Sequence, residues 1–245
     1  MRFDENQFRS RLNAVFKKNG FSSMLNLDGV NRFVELTELL LEENEKYNLT
    51  AITEPNAIIL NHYADSAALA AILPKGAKIA DIGCGAGFPS LPIAILRPDV
   101  TVTAVDSTAK RVTYVNMVKE RLGLSNIEAI TARAEELGRA PEYREKFDCV
   151  TARAVAAMRV LSELCLPLVR VGGRFIAMKG KNAASELSEA KRAIAMLGGR
   201  IFATDDVRLS DTDEELIHPL IIVEKKIKTP ATYPRAFAQI SKRPL

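Results

Sequence analysis

A loop with glycine at every second position constrains this chain more than any other feature of its sequence. An apolar run ends at Ile82, the glycines stand at Gly83, Gly85 and Gly87, and a second apolar run follows at residues 91–96. Glycines this close together let the backbone take torsions that other residues avoid and approach a ligand with no side chain between. At a turn from a strand to a helix, such a loop predicts a site for a nucleotide-like cofactor.

The spacing of the glycines distinguishes two kinds of cofactor. A dinucleotide site has the pattern G-x-G-x-x-G, which would need glycine where this chain has Phe88. The chain instead has D-x-G-x-G-x-G from Asp81, a form that resembles the first motif of S-adenosylmethionine (SAM) methyltransferases. The next predicted strand is followed by Asp106, whose carboxylate can accept hydrogen bonds from ribose hydroxyls. The loop and Asp106 together predict a SAM site.

Alternation of short apolar runs with helical stretches predicts the fold around this loop. Strands are expected at residues 78–82, 100–105, 127–130, 147–151 and 174–178, and helices at 91–96, 109–122, 157–164 and 183–196. This alternation predicts a parallel sheet covered on both faces. Two later apolar runs, at 200–207 and 216–223, are joined by an acidic turn at 211–215 and predict a closing hairpin. Three helices are expected before the sheet, at 5–17, 27–45 and 55–72.

The predicted architecture is therefore α/β, a Rossmann-like fold of the class I SAM-dependent methyltransferases. Its doubly wound sheet is mainly parallel, with a closing antiparallel strand and an N-terminal helical extension. The domains expected are the extension at 1–74, the methyltransferase domain at 75–226, and a basic tail at 227–245 that packs on or near that domain.

The composition of the chain argues against a membrane protein, a disulfide-stabilised protein and a metal-binding protein. A chain with 47% hydrophobic and 26% charged residues is typical of soluble globular proteins, and no apolar run approaches the ~18 residues of a membrane span. Three cysteines without a C-x-x-C pair predict neither a disulfide framework nor a metal site. A cytoplasmic protein without a metal is the simplest expectation.

Segments well outside the glycine loop carry a more specific pattern. They are Tyr47-Asn48-Leu49-Thr50, His62-Tyr63-Ala64-Asp65-Ser66, Phe88-Pro89, residues 106–111, Arg133-Ala134-Glu135, residues 152–156, Lys179-Gly180 and residues 233–245. This combination, which extends over nearly the whole chain from about residue 27, resembles the ribosomal RNA small subunit methyltransferase G family, also called glucose-inhibited division protein B. The chain departs from the family at Cys84, where another small or hydroxyl residue is commoner. It also has Phe237-Ala238-Gln239 in the tail where the family often has glycine, which leaves the tail's conformation open.

The resemblance implies SAM-dependent methylation of N7 of a guanine in 16S rRNA, guanine 527 of the decoding-centre loop. The partner implied is 16S rRNA or the small ribosomal subunit. No membrane is expected to be involved, and a monomer is expected although no sequence feature determines the oligomeric state. The cofactor contacts carried over by the resemblance are Gly83, Phe88, Asp106, Ser107, Thr108, Ala134, Glu135 and Arg153. Arg153, after the fourth strand, is expected to orient the guanine or a phosphate or to contact the cofactor carboxylate, and a structural salt bridge is the alternative.

The residues after the fourth strand agree with a reaction that needs no general base. Enzymes that methylate exocyclic amines usually have an N-P-P-Y-like turn there, and this chain has Thr151-Ala152-Arg153-Ala154. Methylation of a pyrimidine C5 needs a cysteine nucleophile, but Cys149 lies inside an apolar run and is interpreted as a core thiol. Alignment of the reactants can then account for catalysis at N7. Two alternatives stay open: a SAM methyltransferase of a small molecule or protein, and a SAM-binding ribosome assembly factor without turnover.

Basic residues near the predicted site and in the tail predict contacts with RNA phosphates. The candidates are Arg111, Arg133, Lys179, Arg235, Lys242 and Arg243. N7 faces the deep groove of duplex RNA, so the target is expected in a loop or splayed out. His62 and Asp65 share a helical face and either help to close the site or form a packing pair. His218 carries no functional signal in the sequence.

Overall fold

A sheet of seven strands forms the centre of the computed structural model, which describes residues 3–212 and 215–245. The strands lie in the order β3-β2-β1-β4-β5-β7-β6. Their bounds are β1 Lys78–Ile82, β2 Thr101–Asp106, β3 Ile127–Thr131, β4 Phe147–Arg153, β5 Val169–Met178, β6 Gly199–Ser210 and β7 Glu215–Lys225. Strands β1 to β5 pair in parallel, and β7 is antiparallel to both β5 and β6. The predicted parallel sheet and closing hairpin are therefore confirmed. The predicted acidic turn includes residues 213 and 214, which lie outside the described residues.

The helices agree closely with the expected positions. They are α1 Glu5–Lys18, α2 Leu27–Tyr47, α3 Pro55–Ile58, α4 Asp65–Ile72, α5 Ser90–Leu96, α6 Ala109–Arg121, α7 Ala134–Leu137, α8 Met158–Cys165, α9 Ala183–Met196 and α10 Phe237–Lys242. Two short helices, α7 and α10, are additional to the sequence prediction. None of the helices in the described part of the chain has the length and apolar character needed to cross a bilayer.

Alternation along each strand produces two hydrophobic cores, one on each face of the sheet. On β1, Ile79 belongs to the core formed with α1, α2, α4, α5 and α6, whereas Ala80 belongs to the core formed with α7, α8, α9 and α10. Phe8 of α1 and Phe33 of α2 are buried in the first core, and each such side chain contributes about 1.5–3 kcal/mol. The helices before residue 74 thus share a core with the sheet, while the division into 1–74, 75–226 and 227–245 stays a prediction.

The helical segment from Pro55 to Ile72 is interrupted by a π-helical turn. Glu54 caps its start by accepting a hydrogen bond from the backbone N–H of Ala57, and Pro55 occupies the first position, where its missing N–H is harmless. The π-helical turn extends over Ile59–Ala64. Such turns reorient side chains and often occur at functional sites. This one brings His62 against the ring of Phe88 in the glycine loop, with 4.3 Å between ring centroids.

Both ends of the described chain are attached to the sheet domain. At the start, Arg11 of α1 forms an ion pair of 2.7 Å with Asp211 after β6. At the end, the guanidinium of Arg144 donates to the carbonyls of Thr229 and Tyr233, each at 2.8 Å. These contacts fix the tail against the same side of the sheet as α7 and α8.

Candidate functional site

A cleft of about 260 Å³ opens beyond the carboxyl ends of the parallel strands. Its walls include Gly83 after β1, Asp106 at the end of β2, Ala134 and Glu135 after β3, and Val155 after β4. Parallel strands end at one edge of a sheet, which is where open α/β sheets bind their ligands. Residues that are far apart in the sequence and were predicted to bind a cofactor therefore lie together.

The glycine loop is fixed against the end of β2. The backbone N–H groups of Gly83 and Cys84 both donate to the carbonyl of Val105, at 2.8 and 3.0 Å. Gly83 has a φ of +74°, which favours glycine. A Cβ at this position would lie 2.5 Å from Cγ2 of Val155. Glycine is thus required here by the close approach of the loop after β4 as well as by backbone torsion.

Asp81 lies beneath the loop with its carboxylate only partly satisfied. Its Oδ2 accepts a hydrogen bond of 2.5 Å from the hydroxyl of Ser90, the first residue of α5. Its Oδ1 is buried and has no hydrogen-bond partner among the residues that the structure describes. Burial raises the pKa of Asp81 to about 6, and the hydrogen bond from Ser90 opposes part of that shift. A buried, unpartnered carboxylate oxygen is a suitable acceptor for a cationic ligand group.

Asp106 has a carboxylate held by three donors. The N–H groups of Gly85 and Thr108 donate to it at 3.1 and 2.8 Å, and Nη1 of Arg111 lies 3.3 Å away. A carboxylate offers about four lone-pair directions, so these contacts leave capacity for a further donor. Asp106 and its neighbour Ser107 line the cleft. The roles predicted for these residues in binding ribose stay predictions.

Arg153, at the end of β4, is the centre of a buried polar cluster. Its Nη1 donates to the carbonyl of Asn61 and to Oδ2 of Asp65, both at 3.0 Å, and its Nη2 donates to Nδ1 of His62 at 3.2 Å. The other oxygen of Asp65 is hydrogen-bonded to Nε2 of His218 on β7. Arg153 therefore forms a structural salt bridge with Asp65, which was the alternative to a contact with guanine, phosphate or cofactor.

His62 is neutral within this cluster. Burial and the nearby charge of Arg153 lower its pKa to about 3. Nδ1 of His62 lies 3.2 Å from Nη2 of Arg153 and 3.1 Å from the carbonyl of Asn61. Because a guanidinium can only donate, the contact with Arg153 makes Nδ1 an acceptor and assigns the ring proton to Nε2, which lies 3.2 Å from the hydroxyl of Thr50. The ring of Phe88 stacks on His62, and the Arg153 guanidinium lies 5.7 Å from the Phe88 centroid. Phe88 is thus packed against the cluster, and its predicted contact with the cofactor stays a prediction.

Lys179 and Arg235, two of the predicted RNA contacts, have internal partners. Nζ of Lys179 donates to the carbonyl of Ala156 at 2.9 Å and lies 2.7 Å from Glu186, so it holds the loop after β4. The guanidinium of Arg235 forms an ion pair of 2.6 Å with Glu163, which is fully buried. Because these charges are matched by carboxylates, they provide less attraction for RNA than the sequence suggested.

The other predicted RNA contacts have exposed side chains. Arg111 and Arg133 lie at the cleft, and Lys242 and Arg243 lie at the end of the tail. Nη1 of Arg111 also lies 3.3 Å from Asp106, whose charge offsets part of its own. Their role in RNA binding stays a prediction.

The cysteines are core residues. Cys149 is buried on β4, and burial raises the pKa of its thiol to about 12. Burial also raises the pKa of Cys84, between the loop glycines, well above its usual range. The interpretation of Cys149 as a core thiol is confirmed.

Three residues of the site were not found from the sequence. Val155 covers Gly83, His218 holds Asp65, and Phe237 of α10 lines the cleft. Val155 belongs to the segment 152–156 noted in the sequence, but nothing in that segment, or in the sequence around His218, indicates what the side chain contacts. Phe237 reaches the cleft only through the path of the tail, which no local pattern determines.

The family model and the relatives that match this chain have the same name. A family model described as "GidB: rRNA small subunit methyltransferase G" matches residues 30–212. A protein of Clostridium perfringens named Ribosomal RNA small subunit methyltransferase G is 47% identical over 222 residues, which is 90% of this chain and 92% of the relative. A protein of the same name from Desulfitobacterium hafniense is 46% identical over 219 residues, which is 89% of this chain and 90% of the relative.

Solved structures of more distant sequences share the fold. A SAM-dependent O-methyltransferase from Thermotoga maritima has a TM-score of 0.51 at 15% identity, with 77% of this chain and 72% of the other covered. A precorrin-6y C5,15-methyltransferase from Geobacter metallireducens has a TM-score of 0.51 at 16% identity, with 74% and 92% covered. The predicted Rossmann-like fold of class I SAM methyltransferases is thus confirmed.

Proposed function

Because the chain belongs to the ribosomal RNA small subunit methyltransferase G family, we propose that it methylates N7 of a guanine in 16S rRNA, guanine 527 of the decoding-centre loop. SAM-dependent methylation of small-subunit rRNA follows from membership of that family. The choice of N7 rests on the resemblance and is supported by the chemistry at the end of β4. A monomer that acts in the cytoplasm is proposed with it.

The groups around the end of β4 suit a reaction that removes no proton. His62, with a pKa of about 3, is a weak base at neutral pH. Asp65 and Arg153 neutralise each other in an ion pair of 3.0 Å, and the Cys149 thiol is buried. Guanine N7 carries an available lone pair and no hydrogen, so its methylation needs neither a base nor a nucleophile from the protein. This match is the observation that carries the choice of N7.

Residues of the cleft, and Asp81 buried beneath the glycine loop beside it, have groups that fit SAM. The unpartnered Oδ1 of Asp81 suits the ammonium group of the methionine moiety. The carboxylate of Asp106 suits the ribose hydroxyls, and Ala134 and Glu135 stand where the adenine is expected. When bound, SAM supplies a methyl group on a cationic sulfur, which makes that methyl electrophilic.

Arg153 is the residue that we expect to orient the reacting guanine. Its guanidinium is held in one orientation by the Asn61 carbonyl and by Asp65, which is itself hydrogen-bonded to His218. Asp65 and His218 are positioning residues in this scheme, since they act through Arg153. Alignment of reacting groups can lower a barrier by ~7–11 kcal/mol without acid or base chemistry.

Exposed cations around the cleft support an RNA substrate. Arg111 and Arg133 at the cleft and Lys242 and Arg243 in the tail can pair with phosphates, which makes binding dependent on salt. The target guanine must leave any stacked helix to present N7 to the cleft. A single-stranded loop meets that requirement at low energetic cost.

Labelled SAM tests the proposal directly. The protein is incubated with small ribosomal subunits and, separately, with naked 16S rRNA, both from cells that lack this gene, and the labelled nucleotide is mapped. Label at N7 of guanine 527 is expected. The variant Gly85→Arg is the blank, because Gly85 has a φ of +56°, which favours glycine, and its backbone N–H donates to Asp106, so the substitution should disturb both the loop and the carboxylate proposed for the ribose.

The other outcomes decide between the alternatives. Label at a different RNA atom would contradict methylation at N7, but the protein would still be an rRNA methyltransferase. Label only on proteins or small molecules supports a different methyl acceptor. SAM binding without transfer to any of these supports an assembly factor without turnover.

A further inference from the structure

Phe237 is an exposed aromatic side chain on the wall of the cofactor cleft. It lines the same cleft as Gly83 and Asp106, although it comes from α10 in the C-terminal tail. Its side chain is 40% exposed, whereas Ile240, three residues further along the same helix, is fully buried. The helix therefore docks through Ile240 and presents Phe237 to the cleft and the solvent.

The position of Phe237 along the cleft corresponds to the adenine end. Asp106, at the end of β2, marks the expected ribose position, and Ala134 and Glu135 after β3 mark the expected adenine position. Phe237 shares this end with Arg133, whose guanidinium lies 5.9 Å from the centroid of the phenyl ring. A purine bound beside Ala134 would therefore lie within reach of one aromatic ring.

The tail holds Phe237 in place through contacts that do not involve the cleft. Glu163 of α8 accepts hydrogen bonds from the backbone N–H, Nε and Nη2 of Arg235, at 2.8, 2.8 and 2.6 Å. Nε of Arg159 donates to the carbonyl of Leu245 at 2.6 Å. Because α10 lies between these two attachments, little freedom remains to be lost when the ring meets a ligand.

We propose that Phe237 forms an aromatic wall on which the adenine of the cofactor stacks, so that the C-terminal tail completes the SAM site. The inference rests on the proposed use of SAM and adds a residue of the tail to that site. Aromatic stacking on a nucleobase is worth about 1–3 kcal/mol. Arg133 supports the ring by a cation–π contact, so its guanidinium stays beside the aromatic pair.

Calorimetric titration with S-adenosylhomocysteine tests the proposal without turnover. Phe237→Ala should weaken binding about ten-fold, in line with the stacking energy, and should leave the melting temperature nearly unchanged because the ring is exposed. Phe202→Ala is a matched control: Phe202 is 51% exposed on the edge strand β6 and has Arg174 at 4.7 Å from its centroid. Its removal should not change the affinity.

A fluorescent variant gives a second readout. The chain contains no tryptophan, so Phe237→Trp introduces a single indole at the proposed contact. Its emission should change on addition of S-adenosylhomocysteine or adenosine and should not respond to methionine. The corresponding Phe202→Trp variant should respond to none of them.

The outcomes separate this inference from the function on which it rests. Equal affinity of Phe237→Ala and the wild-type protein for S-adenosylhomocysteine would overturn the stacking role. The same conclusion would hold if the substitution weakened only the binding of RNA. If the wild-type protein itself did not bind S-adenosylhomocysteine, both the proposed SAM site and the stacking role of Phe237 would be contradicted.

Discussion

Asp81 combines two features that rarely occur together in a side chain needed only for folding. It is nearly fully buried, and one of its carboxylate oxygens has no hydrogen-bond partner in the described part of the chain. Burial raises its pKa to about 6, although the Ser90 hydrogen bond and the charge of Arg153 oppose part of that shift, so the carboxylate is mainly ionised at neutral pH at a cost to folding. An unfavourable buried charge of this kind is consistent with a residue kept for a ligand.

Replacement of Asp81 by asparagine should stabilise the protein at neutral pH. The folded-state pKa of about 6 lies above the value of about 3.9 for an unfolded chain, so folding favours the neutral form. The stability of the wild-type protein therefore falls between about pH 4 and pH 6 and then stays low, and the asparagine variant avoids this loss. We expect a gain of about 2–3 kcal/mol at pH 8 that shrinks toward pH 4.5.

Urea unfolding at the two pH values measures this difference. An equal difference at both would contradict a raised pKa for Asp81. In the same variant the affinity for S-adenosylhomocysteine should fall, because an amide attracts an ammonium group less strongly than a carboxylate does.

Gly83 provides a test of the contact between the glycine loop and Val155. An alanine at Gly83 takes a φ of +74° and places its Cβ 2.5 Å from Val155. Gly76→Ala is the control, because Gly76 has a φ of +67° and no atom within 4 Å of an added Cβ. Both variants should lose about 1–2 kcal/mol from the left-handed backbone.

Only Gly83→Ala should also lose cofactor affinity, at least ten-fold, because either the loop or Val155 must move. Titration with S-adenosylhomocysteine provides the measurement. Similar affinities for the two variants would show that the contact does not shape the cleft.

At the level of elements, three segments meet at Asp65. The π-helical turn supplies His62, β4 supplies Arg153, and β7 supplies His218. Each contributes a hydrogen bond to one connected cluster beside the glycine loop. The N-terminal helices therefore determine the orientation of a residue at the end of the central sheet.

Substitutions of Arg153 should separate its structural and catalytic effects. Arg153→Ala leaves the buried carboxylate of Asp65 without its main cation and should destabilise the protein by about 3–5 kcal/mol while abolishing transfer. Arg153→Lys keeps a charge but loses the planar group that contacts three acceptors, so it should retain most of the stability and still lose more than ten-fold in turnover.

Melting temperatures and single-turnover rates, measured on the same samples, distinguish the two effects. Full turnover in Arg153→Lys would remove the orienting role. A double-mutant cycle with Asp65→Asn would then report the ion pair alone.

The elements were predictable where local pattern determines them. Strands β1, β2 and β4 are almost wholly buried, and the edge strand β3 has apolar residues at 127, 129 and 130, so the bounds of all four were predicted within about two residues. Strand β5 was expected to begin at residue 174 but begins at Val169, before Gly172 and Gly173. A Cβ on Gly173 would lie 2.6 Å from the carbonyl of Asp148, so this glycine marks a close approach of two strands and not a turn.

The parts of the site that depend on tertiary contacts were not predictable. The π-helical turn has no sequence period of its own, so the contact of His62 with Arg153 could not be derived from residues 55–72. His218 approaches Asp65 only because β7 pairs with β5. The glycine loop and Asp106, in contrast, follow directly from the order of strand, turn and helix.

At the scale of the whole molecule, an ion pair with a buried carboxylate is one of the contacts that hold the tail. Glu163 is fully buried and binds Arg235, whose side chain is 24% exposed. Removal of the carboxylate in Glu163→Ala should cost about 2 kcal/mol, somewhat less than a fully buried pair because Arg235 can regain water. Glu224→Ala is the control, since its pair with Lys226 at 2.6 Å is at the surface and should contribute little to stability.

Limited proteolysis should detect the same difference locally. In Glu163→Ala, cleavage by trypsin after the tail residue Lys242 should accelerate relative to the wild-type protein and to Glu224→Ala. Equal cleavage rates in all three proteins would show that the tail is held by other contacts.

The attachment of α1 to the end of β6 has a consequence for the order of events during synthesis. The ion pair between Arg11 and Asp211 joins residues 200 positions apart. A ribosome adds Asp211 only 200 residues after Arg11. The first helix therefore lacks its contact with Asp211 while the strands of the sheet are being translated. Closing so long a loop also slows folding. This contact can form only after β6 has been translated, so the nascent chain lacks it while the preceding strands emerge.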